Sequence, residues 1–310
     1  MIENTEDNLF NILAIDGGGI RGVFPAHILH CMSSKLQLDI FEQFQMFSGT
    51  STGSIIAAGL ACEVRTEEIL ALYKSIGEEI FDPEFSLYPE KFKPGFHSVY
   101  KNEKLKNILR EVFKDKKLGE VSKPLLIPAS DIANGGVHVF KSNYSTSFNR
   151  DKDVYVRDAV AASCSAPTFF DPYTVNEYLI ADGGLWANNP SLCSFIDAQK
   201  RLDIPMNRIK IFSLGTGHSR TYYGVNSEKK WGLINGWKGK EFISFILSLQ
   251  SQSTQNYLSL MVEDKNYLRL DFESDLPLPL DDVSAVPDLV SRADKVFTHR
   301  SEDIKNFLNI

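Results

Sequence analysis

The stretch FQMFSGTSTG at residues 44–53 joins a short apolar run to a serine that lies between two glycines. The apolar run predicts a buried strand over Phe44–Ser48, and the small residues after Ser51 predict a helix. A strand, a sharp turn and a helix around Gly-x-Ser-x-Gly are the setting of a nucleophile elbow, in which the turn exposes the serine hydroxyl. Gly49 and Gly53 relieve crowding at such a turn. Ser51 is therefore the candidate nucleophile.

A glycine-rich segment, DGGGIRG at residues 16–22, lies one strand–helix unit earlier. It follows the apolar run Asn11–Ile15 and opens a predicted helix, so its backbone N–H groups are available to a negative ligand. Two interpretations compete. The glycines match a dinucleotide-binding fingerprint, with Asp39 near the position of a ribose-binding acid, or they form an oxyanion hole. The serine elbow favours the oxyanion hole, because a dinucleotide site makes no use of such a serine.

A third motif, DGG at residues 182–184, follows the predicted strand Tyr178–Ala181. The carboxyl ends of strands are where open α/β sheets keep their active sites. An Asp-Gly pair is also typical of an ordinary turn. Because a serine nucleophile needs a base and Asp182 is the best-placed carboxylate, we expect Asp182 to accept the proton of Ser51.

Strand-like and helical runs alternate over nearly the whole chain, which predicts an α/β sheet covered by helices on both faces. Further strands are expected at Leu125–Ser130, Gly136–Lys141, Ile209–Leu214 and Tyr267–Phe272. Helices are expected at Arg21–Leu36, Thr66–Ile80, Glu103–Phe113, Val156–Ala162, Pro190–Leu202, Glu241–Met261 and Asp288–Leu308. We expect one domain over residues 8–310, preceded by a short tail at 1–7.

The three motifs, in this order, resemble those of the patatin-like phospholipases. Residues 161–170, AASCSAPTFF, and NNP at 188–190 are similar to the segments that flank the aspartate strand in that family. The resemblance covers nearly the whole chain and implies a three-layer α/β/α patatin-like fold with a mostly parallel central sheet. It also implies a Ser51–Asp182 dyad that works without a metal or other cofactor, similar to the dyad of cytosolic and calcium-independent phospholipases A2.

The resemblance further assigns backbone donors and turn residues. It places Gly17, Gly18, Gly19 and Arg21 in the oxyanion hole, and Gly49 and Gly53 in the elbow. The implied activity is hydrolysis of phospholipid or lysophospholipid esters through an acyl-enzyme. Two alternatives stay open. One is a Ser-Asp-His esterase that uses His218 or His299, and the other is a dinucleotide-binding module that uses the Gly17–Gly22 loop.

Composition narrows the partners and the compartment. A net charge of −7 over 310 residues does not favour a nucleic acid polymer. The acidic N-terminus lacks the apolar core of a signal peptide, and no run of 18 apolar residues occurs. The cysteines are few and scattered, without a C-x-x-C pair: Cys31, Cys62, Cys164 and Cys193. We therefore expect a cytoplasmic protein that makes transient, peripheral contact with a membrane.

Regulation and lipid contact are predicted only in outline. Compact patatin-like proteins resemble effectors of anti-phage defence that a cyclic nucleotide switches on, so a cyclic-nucleotide activator is one hypothesis and a homodimer another. Irregular loops are expected near residues 82–100, 142–153 and 218–240. The aromatic and basic residues of 91–101, and the segment around Trp231 and Trp237, are the candidate lids.

Overall fold

The computed structural model describes residues 9–80, 100–219 and 240–310, and an eight-stranded sheet lies at its centre. The strands of this sheet are β1 (Phe10–Ile15), β2 (Met46–Gly49), β3 (Leu125–Asp131), β4 (Gly136–Lys141), β5 (Tyr173–Val175), β6 (Tyr178–Asp182), β7 (Ile209–Leu214) and β9 (Tyr267–Leu270). Two short strands, β8 (His218–Ser219) and β10 (Glu273–Ser274), form a separate parallel pair.

The order across the sheet is β5-β6-β3-β2-β1-β7-β9, and β4 also pairs with β3. The five strands from β3 to β9 in this order run parallel to their neighbours. The strands β4, β5 and β6 pair in the antiparallel sense. The prediction of a mostly parallel central sheet is therefore confirmed.

Helices cover both faces of the sheet. They are α1 (Val23–Lys35), α2 (Ile40–Gln43), α3 (Thr52–Ala61), α4 (Thr66–Ile80), α5 (Asn102–Phe113), α6 (Val156–Ser163), α7 (Gly184–Ala187), α8 (Ser191–Arg201), α9 (Lys240–Met261) and α10 (Val286–Leu308). Successive side chains of a strand point to opposite faces, so β1 divides its residues between two cores. Leu13 and Ile15 belong to the larger core, which α1, α3 and α10 share. Ile12 and Ala14 belong to the smaller core, together with Phe195 of α8.

One edge of β3 is shared by two strands, and this sharing positions the site. β4 occupies one edge of β3 over Leu126–Asp131. On the opposite edge, β2 pairs with the beginning of β3 and β6 pairs with its end. Because β2 runs parallel to β3 and β6 runs antiparallel to it, the carboxyl ends of β2 and β6 approach each other head-on.

The sequence patterns predicted the long elements well and missed the short ones. β5, β8 and β10 have two or three residues each, too few for a periodic pattern. The helix expected from Arg21 begins instead with a 3-10 turn, Gly19–Gly22, and Pro25 is the third residue of α1. Both candidate lids, and the tail at 1–7, lie almost wholly outside the described residues.

Candidate active site

Ser51 lies in the sharp turn between β2 and α3. Its backbone angles are φ 52° and ψ −132°, a conformation that a non-glycine residue rarely adopts. The Ser51 N–H donates a hydrogen bond of 2.9 Å to Ser163 Oγ, and Ser163 Oγ donates one of 2.7 Å to the Pro128 carbonyl. A Cβ on Gly49 would lie 2.2 Å from the Gly53 carbonyl oxygen, so the turn requires glycine there. These features match the elbow that the sequence predicted.

Asp182 ends β6 and faces Ser51 across the gap between the two strand ends. The Asp182 carboxylate is buried, accepts a hydrogen bond of 2.6 Å from Gly184 N–H and lies close enough to the Ser51 side chain for that hydroxyl to influence its pKa. Burial raises the pKa of Asp182 to about 6, and the interactions with Ser51 and the Gly184 N–H offset only part of that rise. A carboxylate with this pKa is a stronger base than an exposed aspartate and is still ionised at neutral pH.

The glycine segment after β1 presents two backbone donors beside Ser51. Within the described part of the chain, the N–H groups of Gly18 and Gly19 have no hydrogen-bond partner. The Gly17 N–H, by contrast, donates to the Asn188 carbonyl oxygen at 3.1 Å. The expectation that Gly17 offers a free donor is therefore wrong, because the turn between α7 and α8 already accepts from that group.

Arg21 serves this segment through its side chain. Arg21 Nε donates to the Gly18 carbonyl at 3.1 Å, and Nη1 donates to the Gly217 carbonyl at the same distance. The guanidinium is buried, and this burial lowers the pKa of Arg21 to about 10, so it stays charged at neutral pH. Arg21 therefore holds the Gly18 carbonyl in place and links the glycine segment to the loop that contains Gly217.

Ser51 and Asp182 open into an apolar pocket that also exposes Gly18 and Gly19. The remaining walls are mainly apolar side chains from α7, α9 and the loops around the site: Ala166, Pro167, Phe169, Phe170, Leu185, Ile243, Leu247 and Leu280. Such walls accept a hydrocarbon chain and exclude water from the reacting groups. We call this cavity the apolar pocket.

A second cavity adjoins the apolar pocket, with Asn188 and Leu247 lining both, and we call it the polar pocket. It is lined by Arg21, Thr216, His218, the buried pair Asp16–Arg269, and polar residues of α9. Arg269 donates to Asp16 at 3.2 and 2.8 Å. Burial raises the pKa of Asp16 even though Arg269 opposes the rise. The ion pair anchors the residue at which the glycine segment begins.

Comparison with known proteins identifies the family of this chain. The family model for patatin-like phospholipases matches residues 13–192, which include the glycine segment, the elbow and Asp182. The chain belongs to the patatin-like phospholipase family. Membership of this family makes it a lipid acyl hydrolase. None of the helices in 9–80, 100–219 and 240–310 combines the length and the apolar character needed to cross a bilayer.

Curated relatives of this patatin-like chain come from bacteria and plants. It is 29% identical to a cGAMP-activated phospholipase of Pseudomonas aeruginosa, an alignment that covers 84% of this chain and 78% of the relative. It is 26% identical to a cUMP-AMP-activated phospholipase of Escherichia coli, over 87% of this chain and 83% of the relative. It is also 26% identical to patatin-like protein 2 of rice, an alignment that covers 86% of this chain and 77% of the relative.

A solved structure shares the fold. The crystal structure of VipD from Legionella pneumophila superposes with a TM-score of 0.56. The match covers 97% of this chain and 67% of VipD, at 11% sequence identity. At this identity the likeness concerns the fold alone.

The alternative site residues lie elsewhere. His218 lies 3.9 Å from Asp271 and lines the polar pocket, whereas Ser51 lines the apolar pocket. His299 is exposed on α10. Asp39 caps α2, accepting a hydrogen bond of 3.1 Å from Glu42 N–H. Neither the histidine triad nor the dinucleotide interpretation gains support from these positions.

One group of potential metal ligands exists among the described residues, at the contact between α1 and α10: His27, Cys31 and Asp294. Lys35 Nζ lies 3.0 Å from Asp294 Oδ1 and holds the pKa of that carboxyl below its usual range. Burial raises the pKa of the Cys31 thiol, so it is neutral at physiological pH. Asp294 thus already has a cationic partner in Lys35, and His27 and Cys31 also lie against its carboxylate.

Sequence reasoning missed three residues that support the site. Ser163 holds the Ser51 backbone, Asn188 accepts from Gly17, and Thr216 donates to the Gly17 carbonyl at 2.9 Å. The motif segments that the resemblance picked out at 161–170 and 188–190 contain the first two. Thr216 follows a predicted strand, but a Gly-Thr-Gly loop by itself carries no chemical signal.

Proposed function

We propose that this chain cleaves carboxylic ester bonds of phospholipids, with Ser51 as the nucleophile and Asp182 as its base. The observation that carries the proposal is that Ser51 and the buried Asp182 carboxylate line one pocket with apolar walls, close enough for Ser51 to lower the pKa of the carboxyl. Within residues 9–80, 100–219 and 240–310 the N–H groups of Gly18 and Gly19 beside this pair have no partner, and they supply the donors that an oxyanion needs.

The proposed reaction has two halves. Asp182 accepts the Ser51 proton while Ser51 Oγ bonds to the ester carbonyl carbon, and the carbonyl electron pair moves to oxygen. The resulting oxyanion accepts hydrogen bonds from the Gly18 and Gly19 N–H groups. The intermediate then expels the lysolipid or alcohol, which takes the proton from Asp182. Water, activated by the same carboxylate, releases the fatty acid from Ser51.

The walls of the apolar pocket support a fatty acyl substrate. Phe169, Phe170 and Leu247 surround the space next to Ser51, where an acyl chain gains free energy by leaving water. Leu185 lines the same pocket and is 47% exposed. We therefore extend the proposal to transient contact of the pocket mouth with a membrane surface.

The names of the bacterial relatives support a regulatory role. Relatives in P. aeruginosa, E. coli and Vibrio cholerae are named as phospholipases activated by cGAMP or cUMP-AMP. We propose that a cyclic nucleotide likewise activates this chain, as an antiviral defence effector that degrades membrane lipid. A homodimer remains a prediction.

The test is fatty acid release from phospholipid vesicles in EDTA, with and without a panel of cyclic di- and trinucleotides. Ser51→Ala and Asp182→Asn should abolish release. Ser34→Ala, at an exposed serine of α1, and Asp153→Asn, at an exposed carboxylate, are matched controls that should retain it. Release that persists in Ser51→Ala contradicts the dyad. Equal release with and without every nucleotide contradicts the activation.

A further inference from the structure

The glycine segment borders both pockets, and hydrogen bonds fix the orientation of its peptide groups. Gly18 and Gly19 line the apolar pocket, whereas Arg21 and Thr216 line the polar pocket. The carbonyl oxygens of Gly17 and Gly18 accept hydrogen bonds from Thr216 and Arg21, two residues that line the polar pocket. In a trans peptide the C=O and the following N–H point in opposite directions. A residue that holds a carbonyl by a hydrogen bond therefore directs the N–H of the next residue away from itself.

Thr216 holds the first of these peptide groups. Thr216 Oγ1 donates a hydrogen bond of 2.9 Å to the Gly17 carbonyl oxygen, and no peptide bond described here is cis. The N–H of Gly18, which belongs to the same peptide plane, therefore points away from Thr216. Arg21 Nε acts in the same way on the Gly18 carbonyl and the Gly19 N–H.

The packing around Thr216 leaves its hydroxyl little freedom. Its side chain is buried, and a Cβ on Gly18 would lie 2.3 Å from Thr216 Oγ1. A β-branched side chain has few rotamers available. The position of Thr216 follows from sheet pairing, because Ile15 of β1 pairs with Leu214 of β7 and the two loops leave the sheet side by side.

We propose that Thr216 is a positioning residue of the oxyanion hole, which aims the Gly18 N–H at the developing negative charge through the Gly17–Gly18 peptide. This inference rests on the proposed function and adds a residue to it. The donor is needed most in the tetrahedral state, when the carbonyl oxygen becomes an anion. Loss of its alignment should therefore lower kcat and leave KM nearly unchanged.

The experiment compares two pairs of variants that differ in the hydroxyl alone. Thr216→Val keeps the shape of wild type without the hydroxyl, and Thr216→Ala differs from Thr216→Ser by the hydroxyl only. The probe is p-nitrophenyl butyrate, a soluble ester whose hydrolysis needs no membrane, assayed under conditions in which wild type is active. Thermal unfolding of each variant separates loss of folding from loss of function.

We expect Thr216→Val and Thr216→Ala to lower kcat by about 10- to 100-fold, somewhat less than removal of an oxyanion donor itself, with KM changed by less than about threefold. Thr216→Ser should restore most of kcat. Wild-type kcat in the folded Val or Ala variant overturns the inference, and so does equal loss in Ser and Ala, which would assign the effect to the methyl group. Should Thr216→Val fail to fold, the Ser–Ala pair decides.

The proposed function is judged separately, by Ser51→Ala. Hydrolysis that survives in Ser51→Ala removes the proposed function and the inference together. If Ser51→Ala is inactive and Thr216→Ala has wild-type kcat, the dyad stands and only the role of Thr216 falls.

Discussion

Replacing Asp182 by asparagine should stabilise the protein at neutral pH while abolishing catalysis. Burial raises the pKa of the Asp182 carboxyl from 3.8 to about 6, so the folded state holds the proton more tightly than the unfolded chain does. The contribution of this carboxyl group to the free energy of unfolding therefore falls as the pH rises from about 4 through about 6. Asparagine has nearly the same shape, stays neutral at every pH, and can still accept the Gly184 N–H hydrogen bond.

The size of the effect follows from the two pKa values. A tenfold change in an equilibrium constant is about 1.4 kcal/mol, so the interval from 3.8 to about 6 corresponds to about 3 kcal/mol. The free energy of unfolding of Asp182→Asn, minus that of wild type, should grow by about 2 to 3 kcal/mol between pH 4.0 and pH 7.5. Most of the growth should fall below pH 6.5.

Urea unfolding at four pH values in this range, followed by circular dichroism and tryptophan fluorescence, measures the difference. The contributions of the other ionisable groups cancel when the wild-type free energy is subtracted from that of the variant. Asp153→Asn is the control, because Lys117 lowers the pKa of Asp153 below 3.8. The difference in unfolding free energy between Asp153→Asn and wild type should therefore not change with pH above pH 5. A pH-independent difference for Asp182→Asn would refute the view that this carboxylate is ionised against a burial penalty.

Three further outcomes are expected. Hydrolysis of a soluble ester should fall about tenfold per pH unit below pH 6, since the base is then protonated; full activity at pH 5 would contradict this. Ser163→Ala should lower kcat about tenfold and the free energy of unfolding by about 1 to 2 kcal/mol, because the Ser51 N–H loses its acceptor; wild-type values in both measurements would show that this contact is dispensable. Gly19→Ala should destabilise the fold by more than about 1 kcal/mol in thermal unfolding, since φ is +60° and a Cβ would lie 2.0 Å from the Leu280 carbonyl. Gly135→Ala, with φ +67° and open space, is the matched control for strain alone, and equal losses at the two glycines would exclude the contact with Leu280.

Local sequence was sufficient to predict the parts of the site. An apolar run followed by Gly-x-Ser-x-Gly predicted a strand, a turn and a helix around Ser51, and the structure has β2, the turn at φ 52° and α3 there. The same reasoning predicted a strand before Asp182. These predictions succeed because strand and helix periods and the demands of a sharp turn are properties of a few neighbouring residues.

The sequence did not predict which glycine N–H groups of the segment are free to bind an oxyanion. The motif DGGGIRG offers three glycine N–H groups that look alike, yet the Gly17 N–H is occupied by the Asn188 carbonyl while those of Gly18 and Gly19 lie at the apolar pocket. The difference arises from Asn188, Thr216 and Arg21, of which the first two are far away in the chain. Hydrogen bonds between distant segments leave no local pattern to read.

The sequence by itself determined an α/β chain with a serine elbow, a glycine segment and an aspartate after a strand, because each of these depends on neighbours in the chain. Tertiary structure decided how they meet. Since β4 fills one edge of β3, β2 and β6 must share the other edge and run head-on, which brings Ser51 to Asp182. The same approach buries Asp182 and raises its pKa. Which strand pairs with which edge depends on hydrogen bonds and packing across the whole domain, and no single segment specifies it.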